Sequence, residues 1–180
     1  MVKKKGGKMK KILISADNVR GLEEVLSSMN SIVTTPESII LLHVQQLIGN
    51  STMTAMMSYS EMETLKESIE GTEHKETLDR RAEKVLTHYR RALEDRGLTN
   101  ITCVIKSGHP ADEILQVAEE EKVDLIIVGC SGKSRIRKFT TGCTSRDVEK
   151  NSKVRVLITK NSGCGKHAHM WTGREAYALQ

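Results

Sequence analysis

Three glycines at a defined spacing, Gly129-x2-Gly132-x9-Gly142, are the residues of this chain best suited to meet a ligand. Glycine allows close backbone approach and φ > 0. Between the second and third lie Lys133, Arg135, Arg137 and Lys138, with almost no apolar periodicity. After Gly142 come Cys143, Thr144 and Ser145, and Thr144 or Ser145 reads as the N-cap of a short helix ending at Asn151. A glycine-rich basic loop that runs into a helix N-terminus can hold an anion, because backbone N–H groups and the helix dipole converge on it. The cations alone would suit any solvated loop. The glycine spacing favours a phosphate.

Other residues also have side chains suited to chemistry. Asp17 follows the apolar run Lys11–Ala16, where it could cap the next helix or meet a ligand at the end of a strand. His43, inside a second apolar run, is expected to be structural rather than a base. Gly132-Lys133-Ser134 resembles the end of a Walker loop, but the leading glycine would have to be residue 127, which is Ile127. No Gly-x-Gly-x-x-Gly follows the first strand. Cys103, Cys130, Cys143 and Cys164 contain no Cys-x-x-Cys pair, so a disulfide framework is not expected. Cys164, His167 and His169 lie close together in a polar tail, one ligand short of a usual structural zinc site.

These residues need elements to position them. Short apolar runs at Lys11–Ala16, Ile39–Val44, Ile101–Ile105, Leu125–Val128 and Val154–Thr159 read as strands, the fourth stopping at Gly129. Between them lie helical patterns over Val19–Ile32, Thr72–Arg96 with Gly97 as its stop, and Ala111–Glu121 with Pro110 in its first turn. Alternation of strand and helix five times predicts a doubly wound, five-stranded parallel sheet. Ligands in such sheets sit beyond the carboxyl ends of the strands, where Asp17 and the glycine loop fall. Gln45–Gly71 is the least legible stretch. Its methionines, Met53, Met56, Met57 and Met62, suit either a flap over a ligand or the packing of a short helix.

The glycine spacing, with Ile39–Val44 and Gly108-His-Pro-Ala-Asp-Glu-Ile-Leu115 running into Asp124–Gly129, resembles the universal stress protein family over about residues 10 to 160. The resemblance implies an adenine nucleotide alpha hydrolase-like sheet of strand order 3-2-1-4-5 and a homodimer paired through the last strands. It also implies ATP, with Mg²⁺, as the ligand. Carried onto this sequence, it implies contacts from Asp17 with its neighbours Ser15 and Ala16, and a backbone contact to the base at Val44. Val128, Gly129 and Gly132 would approach the ribose and phosphates, and Gly142, Cys143, Thr144 and Ser145 would cradle the triphosphate. Cys143 departs from the pattern, since the family's nucleotide binders carry Ser or Thr there. A thiol is the poorer donor, and losing one good hydrogen bond to a charged group costs about 1.5–3 kcal/mol.

Composition agrees with one soluble domain over 11–160, a basic arm over 1–10 and a tail over 161–180. The net charge is +5, and removing the six lysines of residues 1–11 leaves −1 for the rest. Such an arm can touch nucleic acid or anionic lipid, but a solubilising tail is the simpler reading. No apolar run approaches the roughly 20 residues that span a bilayer, and no secretory signal opens the chain. A cytoplasmic protein without membrane or nucleic-acid partners is expected. Three functions remain: a nucleotide-binding stress-response protein, a dimeric interaction module without nucleotide, and a slow ATP hydrolase. No acid, His or Lys is clearly placed to activate water, so binding is preferred to turnover.

Overall fold

The structure, a computed structural model, describes residues 10–30, 35–47, 56–130 and 144–160. Five strands form one sheet: β1 (Lys11–Ser15), β2 (Ser38–Gln45), β3 (Ile101–Ser107), β4 (Leu125–Cys130) and β5 (Arg155–Lys160). Every pairing is parallel and the order is β3-β2-β1-β4-β5. Chain order moves outward from β1 to β2 to β3, then returns past β1 to β4 and β5. The connection therefore changes direction between β1 and β4.

Side chains alternate across the pleat. On one face Ile12, Ile14, Ile39, Leu41, Leu125 and Ile127 pack beneath α1 (Leu22–Met29) and α3 (Glu73–Glu94). On the other, Leu13, Ile40, Leu42, Ile126 and Val128 pack beneath α4 (Pro110–Glu120) and α5 (Thr144–Asn151). Burial on both faces explains why these strands read as unbroken aliphatic runs. Each fully buried Ile or Leu contributes about 1.5–3 kcal/mol relative to exposure, so the central strands carry much of the fold's stability.

Local chemistry sets the helix ends. Thr72 caps α3, its side chain accepting the Lys75 N–H at 3.3 Å. The helix ends where Leu98 N–H reaches back to the Leu93 carbonyl (3.1 Å), with Gly97 at φ +80. Pro110 occupies the first turn of α4 as expected.

Several boundaries differ from the sequence reading, most by one to three residues. The first helix opens as a 3₁₀ turn, Val19–Gly21, before α1 begins at Leu22. The fourth strand does not stop at Gly129, because Gly129 and Cys130 pair with Thr159 and Lys160 of β5. Glycine weakens a strand but does not end one while a partner continues. Thr144 is the first residue of α5 rather than its cap, and Ser145 lies inside the helix. Within Gln45–Gly71, a helix, α2 (Tyr59–Ile69), starts at a capping box. Ser58 Oγ accepts the Glu61 N–H and the Glu61 carboxylate accepts the Ser58 N–H. The short helix weighed for this stretch is therefore present, though none of its residues is fully buried, so apolar periodicity gave it no bounds. Of the methionines there, Met53 lies outside the described residues, Met56 is exposed, and Met57 and Met62 are half-buried.

Candidate functional site

β1 is shorter than its neighbours. Its last residue, Ser15, lies opposite Leu42 of β2 and Val128 of β4, and those strands run on to Gln45 and Cys130. The overhang makes a notch at the carboxyl edge of the sheet, at the point where the connections change direction. Open parallel sheets take ligands at such a point. Ala16, Asp17 and Asn18 form the floor of the notch.

Asp17 could have been a helix cap. It is not. Asn18 is the cap, its Oδ1 accepting the Arg20 N–H at 3.0 Å. Among the described residues, the exposed Asp17 carboxylate accepts a hydrogen bond from Asn18 Nδ2 at 3.2 Å, and a carboxylate has further acceptor capacity for hydroxyl groups. Ala16 beside it is wholly buried, its N–H donated to the Leu42 carbonyl at 2.8 Å and its own carbonyl accepting from His43 Nδ1 at 2.6 Å. His43 is thus bonded into the fold, as the structural reading expected.

Val44 contributes backbone. Successive residues of a strand turn their peptide groups to opposite sides, and Leu42 turns its carbonyl to β1. Val44, two residues on, faces the same side, where β1 has ended. Its N–H and C=O therefore border the notch.

Val128 and Gly129 form the opposite wall, from β4. Val128 is buried. Among the described residues, a Cβ on Gly129 would meet nothing nearer than Thr159 Oγ1 at 3.9 Å, so nothing in their packing demands a glycine there. Thr144, half-buried, and Ser145, buried, begin α5, whose first turn also carries Asp147.

Gly132, Gly142 and Cys143 lie outside the described residues, as do Lys133, Arg135, Arg137 and Lys138 and the tail residues Cys164, His167 and His169. Among the described residues no three His, Cys, Asp or Glu side chains gather as a metal site. None of the described helices is long and apolar enough to cross a membrane.

Sequence reading missed Asn18 and Tyr89 as parts of this site. The Tyr89 hydroxyl donates to the Asn18 carbonyl at 3.2 Å. Its position on the apolar face of α3 was legible, but its partner lies 71 residues away.

Residues 9–160 match the family described as the Universal stress protein family. The chain is 30% identical over 155 residues to Universal stress protein MJ0577 of Methanocaldococcus jannaschii, covering 84% of this chain and 94% of that one. The solved structure of MJ0577 superposes with a TM-score of 0.64 at 29% identity, covering 88% of this chain and all of that one. The structure of the hypothetical protein PH0823 gives 0.57 at 28% identity, over 84% of this chain and 95% of its own. A universal stress protein family protein from Arabidopsis thaliana, solved with AMP bound, shares the fold at 18% identity and a TM-score of 0.51, over 88% and 97% of the two chains.

Proposed function

The chain belongs to the universal stress protein family, and from that premise we propose that it binds ATP with Mg²⁺ in the notch at the end of β1. It acts in stress response or signalling through its nucleotide state rather than by turnover. The observation that carries this reading is Asp17. It stands where the sheet's connections change direction, and Asn18, not Asp17, caps the following turn. An exposed carboxylate there suits the ribose hydroxyls, which it can accept in pairs. The peptide groups of Val44 suit the edge of an adenine base. Gly129, which bears no side chain at the end of β4, suits close approach of a ligand to the backbone.

The remaining contacts come from Ser15, Ala16 and Val128 on the walls, and from Gly132, Gly142, Cys143, Thr144 and Ser145 along the loop and helix start. Ala16 acts through its place in the turn, since its own peptide groups are engaged within the fold. Mg²⁺ would be held chiefly by phosphate oxygens and water, as is usual where no protein cage exists. When bound it supplies charge neutralisation of the phosphates. The relative from Arabidopsis thaliana with AMP bound supports an adenine nucleotide as the ligand class. The protein would work as a homodimer paired through β5.

Cys143 favours a second reading, a dimeric interaction module of this fold that takes up no nucleotide. Nucleotide content of the purified protein, followed by ATP titration of wild type and Gly132→Val, separates the two. Wild type should bind ATP, and the variant, whose Cβ obstructs the backbone, should not. A folded wild-type protein that takes up no ATP would sink the first reading and leave the second.

A further inference from the structure

Two buried side chains, from different elements, hold the turn that carries Asp17. His43 of β2, 5% exposed, donates from Nδ1 to the Ala16 carbonyl at 2.6 Å. Tyr89 of α3, 1% exposed, donates its hydroxyl to the Asn18 carbonyl at 3.2 Å. The two accepting carbonyls bracket Asp17. Gly21 makes room for this arrangement, because a Cβ there would stand only 3.1 Å from the Tyr89 hydroxyl. Burial, and after it the charges of Asp17 and Glu24, push the Tyr89 hydroxyl far above its ordinary value, so it remains a donor.

Packing accounts for the ring of Tyr89, which lies among Leu22, Leu86 and Leu93 in the core beneath α1 and α3. It does not account for the hydroxyl. A phenylalanine would fill the same space, and a phenol is chosen where one end of a buried ring must reach a polar partner. Here the polar partner is the main chain next to the acid, and His43 does the same on the acid's other side. We propose that Tyr89 and His43 are positioning residues for the ligand at Asp17. They hold Ala16, Asp17 and Asn18 in the receiving conformation before the ligand arrives, so that binding does not have to order the turn. The inference rests on the nucleotide reading for what is received, but the held turn is a property of the free protein.

Pre-organisation raises affinity by removing an ordering cost from the binding step. Its loss should therefore appear in affinity and in the motion of the free turn together. The test uses the full-length protein as wild type, Tyr89→Phe, Asp17→Asn and the double variant. ATP with Mg²⁺ is titrated calorimetrically, and ¹⁵N relaxation is measured without nucleotide. Tyr89→Phe should unfold cooperatively and bind ATP roughly 5- to 10-fold more weakly. Backbone order parameters at Asp17 and Asn18 should fall from about 0.85 to below about 0.6. The double variant should bind no more weakly than Asp17→Asn, the non-additivity expected of residues acting as a unit. His43→Leu, which keeps bulk and removes the donor, should repeat the pattern.

Wild-type affinity in Tyr89→Phe, fully additive losses, or an unchanged turn would each overturn the proposal. Should wild type take up no ATP, the nucleotide reading falls, and the relaxation data alone decide this one. A loosened turn sustains it and a rigid one refutes it.

Discussion

Gly129 and Thr159 sit opposite each other in β4 and β5, yet a Cβ on Gly129 would stop 3.9 Å from the Thr159 hydroxyl, an ordinary contact. Among the described residues, no packing contact requires the glycine. A glycine in a strand interior costs roughly 0.5–1 kcal/mol relative to alanine. Gly129→Ala should accordingly leave stability unchanged or raise it by up to about 1 kcal/mol in urea denaturation. On the proposed nucleotide reading, ATP affinity should drop about tenfold or more, because the added methyl group keeps the ligand from the backbone. A variant that is stable and binds as wild type would remove Gly129 from the site.

Lys122 shows the converse. It follows α4 with φ +52, a left-handed conformation that suits glycine, while Val123 N–H closes onto the Ala118 carbonyl at 3.1 Å. The side chain costs roughly 1–2 kcal/mol in that region, and a glycine would give part of this back through its looser unfolded state. Lys122→Gly should therefore stabilise by about 0.5–1 kcal/mol. Equilibrium urea denaturation reads this directly, and destabilisation would contradict the conformation.

Acid should loosen the link between β2 and α3. The Gln45 amide donates to Asp79 at 2.7 Å, and Lys75 lies 2.6 Å away. The hydrogen bond from Gln45 first, and then Lys75, hold the Asp79 carboxyl below the ordinary carboxylate range. A lowered acid contributes stability above its unfolded value and loses it as pH falls through the folded one. Asp79→Asn should therefore flatten the acid limb of the stability curve. The effect should be small, since the Asp79 side chain is 40% exposed and screened by water. An unchanged acid limb would show that Asp79 carries no such link.

Glu113 titrates in the opposite sense. Burial raises its carboxyl above the ordinary range, Lys106 and Lys66 pull it back, and Asp112 and Glu120 push it further up. The folded state then binds the proton more tightly than the unfolded one, so stability is lost as pH rises from the usual carboxylate range through the raised value. Glu113→Gln should raise Tm at pH 7 and give little change near pH 4. Calorimetry at both values checks the sign, and a lowered Tm at pH 7 would reverse it.

Much of this architecture was legible in one sequence for a simple reason. A parallel strand buried on both faces must be aliphatic at every position, as Ile12–Ile14 and Leu125–Val128 are. An amphipathic helix writes its period into Ala82, Val85, Leu86, Tyr89 and Leu93. α2 buries no residue fully and wrote only its capping box, Ser58-x-x-Glu61, a signal present in the sequence but overlooked. Gly129 reads as a strand's end in sequence, because only the assembled sheet shows that Thr159 stands opposite.

Residue order alone thus determined which segments are strands, which faces of the helices turn inward, and that an acid follows the first strand. Tertiary structure decided the rest. Crossovers of similar length can lead to either side of a sheet, so residue patterning leaves open the adjacency of β1 to both β2 and β4; the family resemblance implied that order, and the assembled sheet shows it. Whether Asp17 or Asn18 caps the turn depended on backbone geometry that both residues allow. The hydrogen bonds from His43 and Tyr89 to Ala16 and Asn18 span 27 and 71 residues. Local pattern reports burial and periodicity within a few turns of chain, whereas contacts between distant polar groups exist only once the sheet and its helices have brought them together.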